Sequence, residues 1–300
     1  MEVNNSSQAL LNPGEADDFF EIEGLEDFNP KEADGFYRMN ALWLSEFSRL
    51  IYRQEKDEIP SRSQDFRTRS SFLANKGWQE DTFFNKQRGV FLNAQASIFS
   101  NNDLEVAVLV FRGTLGLADM IIDVLFEPKD WAGTGKVHEG FSEALELAWG
   151  SIKENLAEIR FPVFFTGHSL GAALATLAVG RCLHDEAPLR PAALYTFGSP
   201  RVGDARFADA LQGVSHCRVV DQSDIIPKVP PEINLPPFVH AGSLHHILDD
   251  DNQQSPFLKN IDDIMRLSTE LKDVCEGRIA PPKFLADHAP VNYTARLEKE

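Results

Sequence analysis

Apolar residues recur along the chain at two spacings, and short polar or glycine-rich stretches mark the changes. In Ala41–Arg53, Leu42, Leu44, Phe47, Leu50 and Ile51 fall at helical intervals, which predicts a helix. Gly89–Ser100 and Leu104–Phe111 are separated by Asn101-Asn102-Asp103, and together they read as two strands joined by a tight turn. Phe141–Ile159 reads as an amphipathic helix interrupted only by Gly150. Phe161–Thr166 is a short apolar run closed by Thr166, as expected of a strand buried on both faces. Ser169–Leu183 then reads as an Ala-rich buried helix, Ala192–Phe197 as a strand, Asp204–Leu211 as a helix and Cys217–Val220 as a strand. This alternation from Leu104 to Val220 predicts an α/β fold with a largely parallel sheet covered by helices. Pro227 to Pro237 holds five prolines and predicts an extended loop. Ile261–Val274 has weak helical periodicity, and Ala286–Leu297 is expected to hold a last helix. No repeat or linker divides residues 36–300, which are expected to form a single domain.

Residues 1–35 stand apart. They carry ten acidic residues against Lys31 alone and show no periodicity, so a flexible, solvated segment is expected there. The whole chain has a net charge of −17, which argues against nucleic acid or an anionic membrane as a standing electrostatic partner. Its 22 Phe, against 4 Trp and 4 Tyr, first serve a core, and they also suit a pocket for a greasy substrate. Cys182, Cys217 and Cys275 lie far apart and have no zinc-ligand spacing. Met1–Gly14 has neither a basic residue nor an apolar stretch of signal-peptide type, and no run is long enough to cross a membrane. A soluble cytoplasmic protein is therefore expected, or a secreted one if a leader has been removed.

The strongest chemical signal is Gly167-His168-Ser169-Leu170-Gly171. It follows a predicted buried strand directly and opens a predicted helix directly, the setting in which a sharp turn lifts a serine hydroxyl clear of a sheet. Bulky side chains at Gly167 and Gly171 would collide with neighbouring backbone. The Leu170 N–H, at the positive end of the following helix, is placed to stabilise an oxyanion. A packing turn in which Ser169 only caps a helix would use the same five residues, but the buried strand directly before them and the Ala-rich helix directly after favour a nucleophile elbow. His168 is expected to point away from Ser169 and to be structural.

Four segments together resemble the class 3 lipases, the fungal triacylglycerol lipase-like family of the alpha/beta-hydrolase superfamily. They are Phe111-Arg112-Gly113-Thr114, Val137-His138-Glu139-Gly140-Phe141, the elbow from Thr166 to Ala175, and Tyr195-Thr196-Phe197-Gly198-Ser199-Pro200-Arg201-Val202-Gly203-Asp204. The similarity begins near Asn40 and leaves residues 1–35 outside. On the residues alone, Thr114 is equally a turn donor with no catalytic part. The resemblance implies that it is the second oxyanion donor beside Leu170.

An acid and a base should follow Ser169 in the order Ser, Asp or Glu, His. Asp221 and Asp224 both lie after Cys217–Val220, and local physics does not separate them. Asp224-Ile225-Ile226-Pro227 matches the family's Asp-Ile-Val-Pro, so the resemblance selects Asp224. Among His240, His245, His246 and His288, the Asp287-His288 pair with Tyr293 downstream matches the family's chain end, so it selects His288. His240 is expected on a short strand, and His245-His246 facing solvent. The implied chemistry is acyl transfer through Ser169, with no metal or cofactor needed. The apolar stripe Leu117, Met120, Ile121, Val124 and Leu125 within 115–136 is ordinary packing on spacing alone; the resemblance implies a lid there, with Asp119-Met120 in place of the usual Asp-Trp. The implied partner is an acylglycerol or similar ester, with transient contact to lipid surfaces. A short-chain or feruloyl esterase, a phospholipase, or a non-catalytic interaction module on the same fold are the rival readings.

Overall fold

The structure is a computed structural model describing residues 1–300 except 56, 57, 59–64, 89–91, 115, 117, 119–127, 132, 185–188, 222, 232–235 and 248–254. Its elements in chain order are α1 (Ser7–Leu11), α2 (Arg38–Leu50), α3 (Arg69–Ala74), β1 (Gln79–Arg88), β2 (Leu92–Asn101), β3 (Val106–Phe111), β4 (Pro128–Asp130), β5 (Lys136–His138), α4 (Glu139–Glu158), β6 (Val163–His168), α5 (Leu170–His184), β7 (Ala193–Phe197), α6 (Ala205–Ala210), β8 (Ser215–Asp221), β9 (Ser243–Ile247), α7 (Ile261–Cys275), α8 (Lys283–Ala286) and α9 (Pro290–Lys299). Seven strands form one sheet in the order β1-β2-β3-β6-β7-β8-β9. β1, β2 and β3 pair antiparallel, and β3, β6, β7, β8 and β9 pair parallel. The architecture is the expected α/β one, a mostly parallel sheet with helices on both faces.

Strand geometry explains why the central strands read as continuous apolar runs. Successive side chains point to opposite faces. Val106, Val108 and Val110 of β3 enter the core shared with α2, whereas Ala107, Leu109 and Phe111 enter the core shared with α4, α5 and α7. Helices on both faces leave no polar side to alternate with. β1 and β9 lie at the sheet edges and are largely exposed, so their sequences, Gln79–Arg88 and Ser243–Ile247, carry no apolar run to predict them.

Three expectations change. First, residues 1–35 are not a solvated tail. Phe19, Phe20, Ile22 and Phe28 are buried in the α2-side core, with the Phe28 ring 4.9 Å from that of Phe164 and 5.8 Å from that of Trp78. Asp18 pairs with Arg49 and Asp17 with Arg53, so some of the acidity is also structural. The segment has no helical or strand period because most of it is neither helix nor strand. Second, the expected helix Ala286–Leu297 is two, α8 and α9, separated by Asp287, His288 and Ala289. Pro290 enforces the break: it lacks an N–H and would clash within a helix, but it fits the first turn of α9. Third, His240 is on no strand; only its neighbour Val239 makes an isolated bridge, to Gly203. The apolar stripe expected as a lid, Leu117 to Leu125, lies outside the described residues.

Candidate active site

β6 and α5 meet at Ser169, whose φ of 58° lies in the left-handed region that non-glycine residues seldom adopt. The turn is held from below by the Ser169 N–H donating to the Phe197 carbonyl of β7 at 3.0 Å. It is held from the side by contact so close that a Cβ on Gly171 would overlap the Phe111 carbonyl at the end of β3. The elbow glycine is therefore a condition of packing helix α5 onto the strand beside it. Leu170 opens α5, where the first N–H groups have no acceptor within the helix. Gly113 lies against the elbow, since a Cβ there would come 2.7 Å from the His168 carbonyl and 3.3 Å from Ser169 Cβ. Thr114 is the next residue, is half-buried, and turns its hydroxyl to accept the Gly116 N–H at 3.0 Å.

Asp224 and His288 meet across 64 residues of chain. The His288 Nδ1–H donates to Asp224 Oδ2 at 2.7 Å. The same oxygen accepts the Tyr293 hydroxyl at 2.6 Å, and Asp224 Oδ1 accepts the Ile226 N–H at 2.8 Å. Three donors thus fix the carboxylate. Burial, reinforced by the Asp224 charge, holds the Tyr293 hydroxyl well above the usual phenol range, so it remains a donor. With Nδ1–H committed to Asp224, His288 Nε2 is left as the acceptor nitrogen, and it has no hydrogen-bond partner among the described residues. A buried polar atom without a partner is costly in a purely structural histidine.

Two links bring His288 to the elbow. The His168 Nε2–H donates to the His288 carbonyl at 2.8 Å, with the two rings 4.5 Å apart. Gly198, the residue after the Phe197 that binds Ser169, faces the other side. A Cβ there would fall 2.9 Å from Asp224 Oδ2, 2.9 Å from the Tyr293 hydroxyl and 3.1 Å from His288 Cε1, and its φ is 58°. His168 is kept neutral by burial and by the neighbouring His288, well below the usual imidazole range, which leaves its Nδ1 to accept the Tyr52 hydroxyl at 3.3 Å. Ser169, Asp224 and His288 are all closed to solvent, at 0%, 1% and 1% exposure.

The rival acid and bases are engaged elsewhere. Asp221 binds Arg296, and the His240 Nε2–H donates to the Pro227 carbonyl at 2.7 Å. His245 pairs with Glu300 and stacks on Phe36, and His246 is exposed. The residues that sequence reasoning did not assign to the site are Tyr52, Gly198 and Arg296, and Tyr293 was marked only by resemblance. Among the described residues no cluster of His, Cys, Asp or Glu is arranged to hold a metal ion. None of their helices is long and apolar enough to cross a membrane.

Residues 108–234 match the family model described as lipase (class 3). A lipase of Rhizomucor miehei is 29% identical over 212 residues, 65% of this chain and 54% of that protein. A lipase of Rhizopus niveus is 34% identical over 192 residues, 60% of this chain and 46% of that protein. The chain thus spans about half the length of the curated relatives it matches. A solved triacylglycerol lipase, described as having a serine protease triad as its catalytic centre, aligns with a TM-score of 0.58 at 25% identity, over 71% of this chain and 80% of that one.

Proposed function

We propose that this chain, which belongs to the class 3 lipase family, is a serine carboxylic ester hydrolase acting on acylglycerols or similar lipid esters. The observation that carries the reading is the chain of contacts from Tyr293 to Asp224 to His288, ending in a buried, unpartnered Nε2 beside the strained elbow at Ser169. In this reading His288 Nε2 takes the Ser169 hydroxyl proton as Oγ attacks the ester carbonyl. Asp224 holds the imidazole in the tautomer that can accept, and offsets its charge once it has. The Leu170 and Thr114 N–H groups receive the oxyanion. His288 then returns the proton to the departing alcohol, and a water, deprotonated the same way, releases the acid and regenerates Ser169.

The burial of Ser169 means that a substrate reaches it only after its cover moves, which suits an ester presented at a lipid surface. The test is hydrolysis of p-nitrophenyl esters of graded acyl length by the wild type and by Ser169→Ala. Long-chain esters should be cleaved best, and the variant should be inert. A short-chain optimum would replace the lipid substrate with a small ester, and an active Ser169→Ala protein would remove the nucleophile.

A further inference from the structure

Behind the Asp224–His288 pair lies a second charged assembly that the acyl-transfer chemistry does not use. Asp221 ends β8 and Asp287 precedes His288; both are fully buried. Between them stands Arg296 of α9, at 7% exposure. Its Nη1 binds Asp221 Oδ2, and its Nη2 binds Asp287 Oδ1 at 2.7 Å. Lys283 reaches the other oxygen of Asp287 at 2.9 Å. Asp221 in turn shapes the loop that carries the acid: its Oδ1 accepts the Ser223 N–H at 3.2 Å, and its carbonyl accepts the Asp224 N–H at 3.1 Å.

One guanidinium therefore spans the loop bearing Asp224 and the turn bearing His288. Tyr293 lies one turn earlier on the same face of α9 and touches Asp224 itself. Stability alone is a poor reason for such a group. Burying three ions is expensive, and apolar residues of similar volume commonly do as well or better. What a guanidinium adds is fixed geometry: a planar fork that meets two carboxylates in set directions, which a lysine ammonium does not reproduce.

We infer that Arg296 is a positioning residue, whose bridge from Asp221 to Asp287 sets the Asp224 carboxylate against His288 Nδ1. The inference rests on the reading of Ser169, Asp224 and His288 as an acyl-transfer site. Burial pulls the Arg296 guanidinium down to about 10, so the bridge stays charged at neutral pH.

The test compares kcat, KM and melting temperature for Arg296→Met, Arg296→Lys and the triple variant Asp221→Asn/Asp287→Asn/Arg296→Met on a p-nitrophenyl ester, with Ser169→Ala in parallel. Arg296→Met should lower kcat about 10- to 100-fold, since small misplacements at a reacting site cost on that order. KM should stay within about threefold, because the bridge does not touch substrate. Arg296→Lys should fall between wild type and Arg296→Met. The triple variant, in which only the partly exposed Lys283 loses a carboxylate partner, should recover melting temperature but not kcat. Wild-type kcat in folded Arg296→Met, or recovery of kcat together with melting temperature in the triple variant, would overturn the role. Should Arg296→Met not fold, Arg296→Lys decides: a reduced kcat at unchanged KM supports the role, and wild-type kcat overturns it. Hydrolysis surviving Ser169→Ala would overturn the reading of the site and this inference with it. An inert Ser169→Ala protein beside fully active Arg296 variants would overturn only the role of Arg296.

Discussion

Phe28→Ala tests whether residues 1–35 are part of the folded unit. Phe28 is 1% exposed, with its ring edge-on to Phe164 at 4.9 Å and to Trp78 at 5.8 Å. Phe164 belongs to β6, at the centre of the sheet and five residues before the elbow serine. Truncation to alanine removes the ring from a filled core and leaves a cavity among aromatic neighbours that relax only partly. Such changes cost about 3–5 kcal/mol. At roughly 2–3 °C per kcal/mol for a chain of this size, the melting temperature should fall by about 6–15 °C. A urea titration should show the same loss as a lower midpoint with an unchanged slope. A solvated segment predicts otherwise, since exposed substitutions away from special features stay within about 0.5 kcal/mol. A loss below about 1 kcal/mol would refute the packing of this segment against the sheet.

Two further outcomes follow from the geometry. Gly198→Ala puts a Cβ within 3.1 Å of Asp224, Tyr293 and His288 at a backbone φ of 58°, so kcat on a p-nitrophenyl ester should drop by about 10²-fold with much less change in KM; full activity would show that the three side chains are not held where they are described. His168 and His216 are both kept neutral by burial, with His288 and Arg218 respectively adding to the effect, and His216 is lowered to about 3. The unfolded chain, whose histidines titrate near 6.5, takes up protons that the folded chain refuses, so stability falls as pH drops through about 6.5. Each histidine contributes up to about 1.4 kcal/mol per pH unit to that slope. Melting temperature between pH 7.5 and 4.5 should show the decline, and His216→Gln should flatten it; an unchanged slope would count against the burial of His216.

The sequence revealed most where a local rule also served the global arrangement. The elbow was legible because Gly167 and Gly171, the apolar run of β6 and the Ala-rich start of α5 all express one requirement, a tight strand-to-helix turn. The parallel strands β6 and β7 were legible because burial on both faces writes short, mostly apolar runs, and β8, which has Arg218 inside Cys217–Val220, was legible from its place in the same strand–helix alternation. β1 and β9 were not, because edge strands face water and their pairing comes from the neighbouring strand. Phe19, Phe20, Ile22 and Phe28 are core residues without a period, since an irregular segment can bury side chains at any interval. Asp224 could not be told from Asp221 by local physics, because what separates them is a partner some 70 residues away: His288 for one, Arg296 for the other. Tyr52 and Gly198 act through contacts that no local spacing encodes.

The central claim is that Ser169 carries the acyl group, and covalent stoichiometry tests it most directly. An alkyl fluorophosphonate transfers its phosphonyl group to a serine activated by a neighbouring base. Intact-mass measurement during inactivation should give one adduct per chain, peptide mapping should place it on Ser169, and ester hydrolysis should fall in proportion to labelling. Hydrolysis that persists in fully labelled protein, or an adduct on any other residue, would contradict the account.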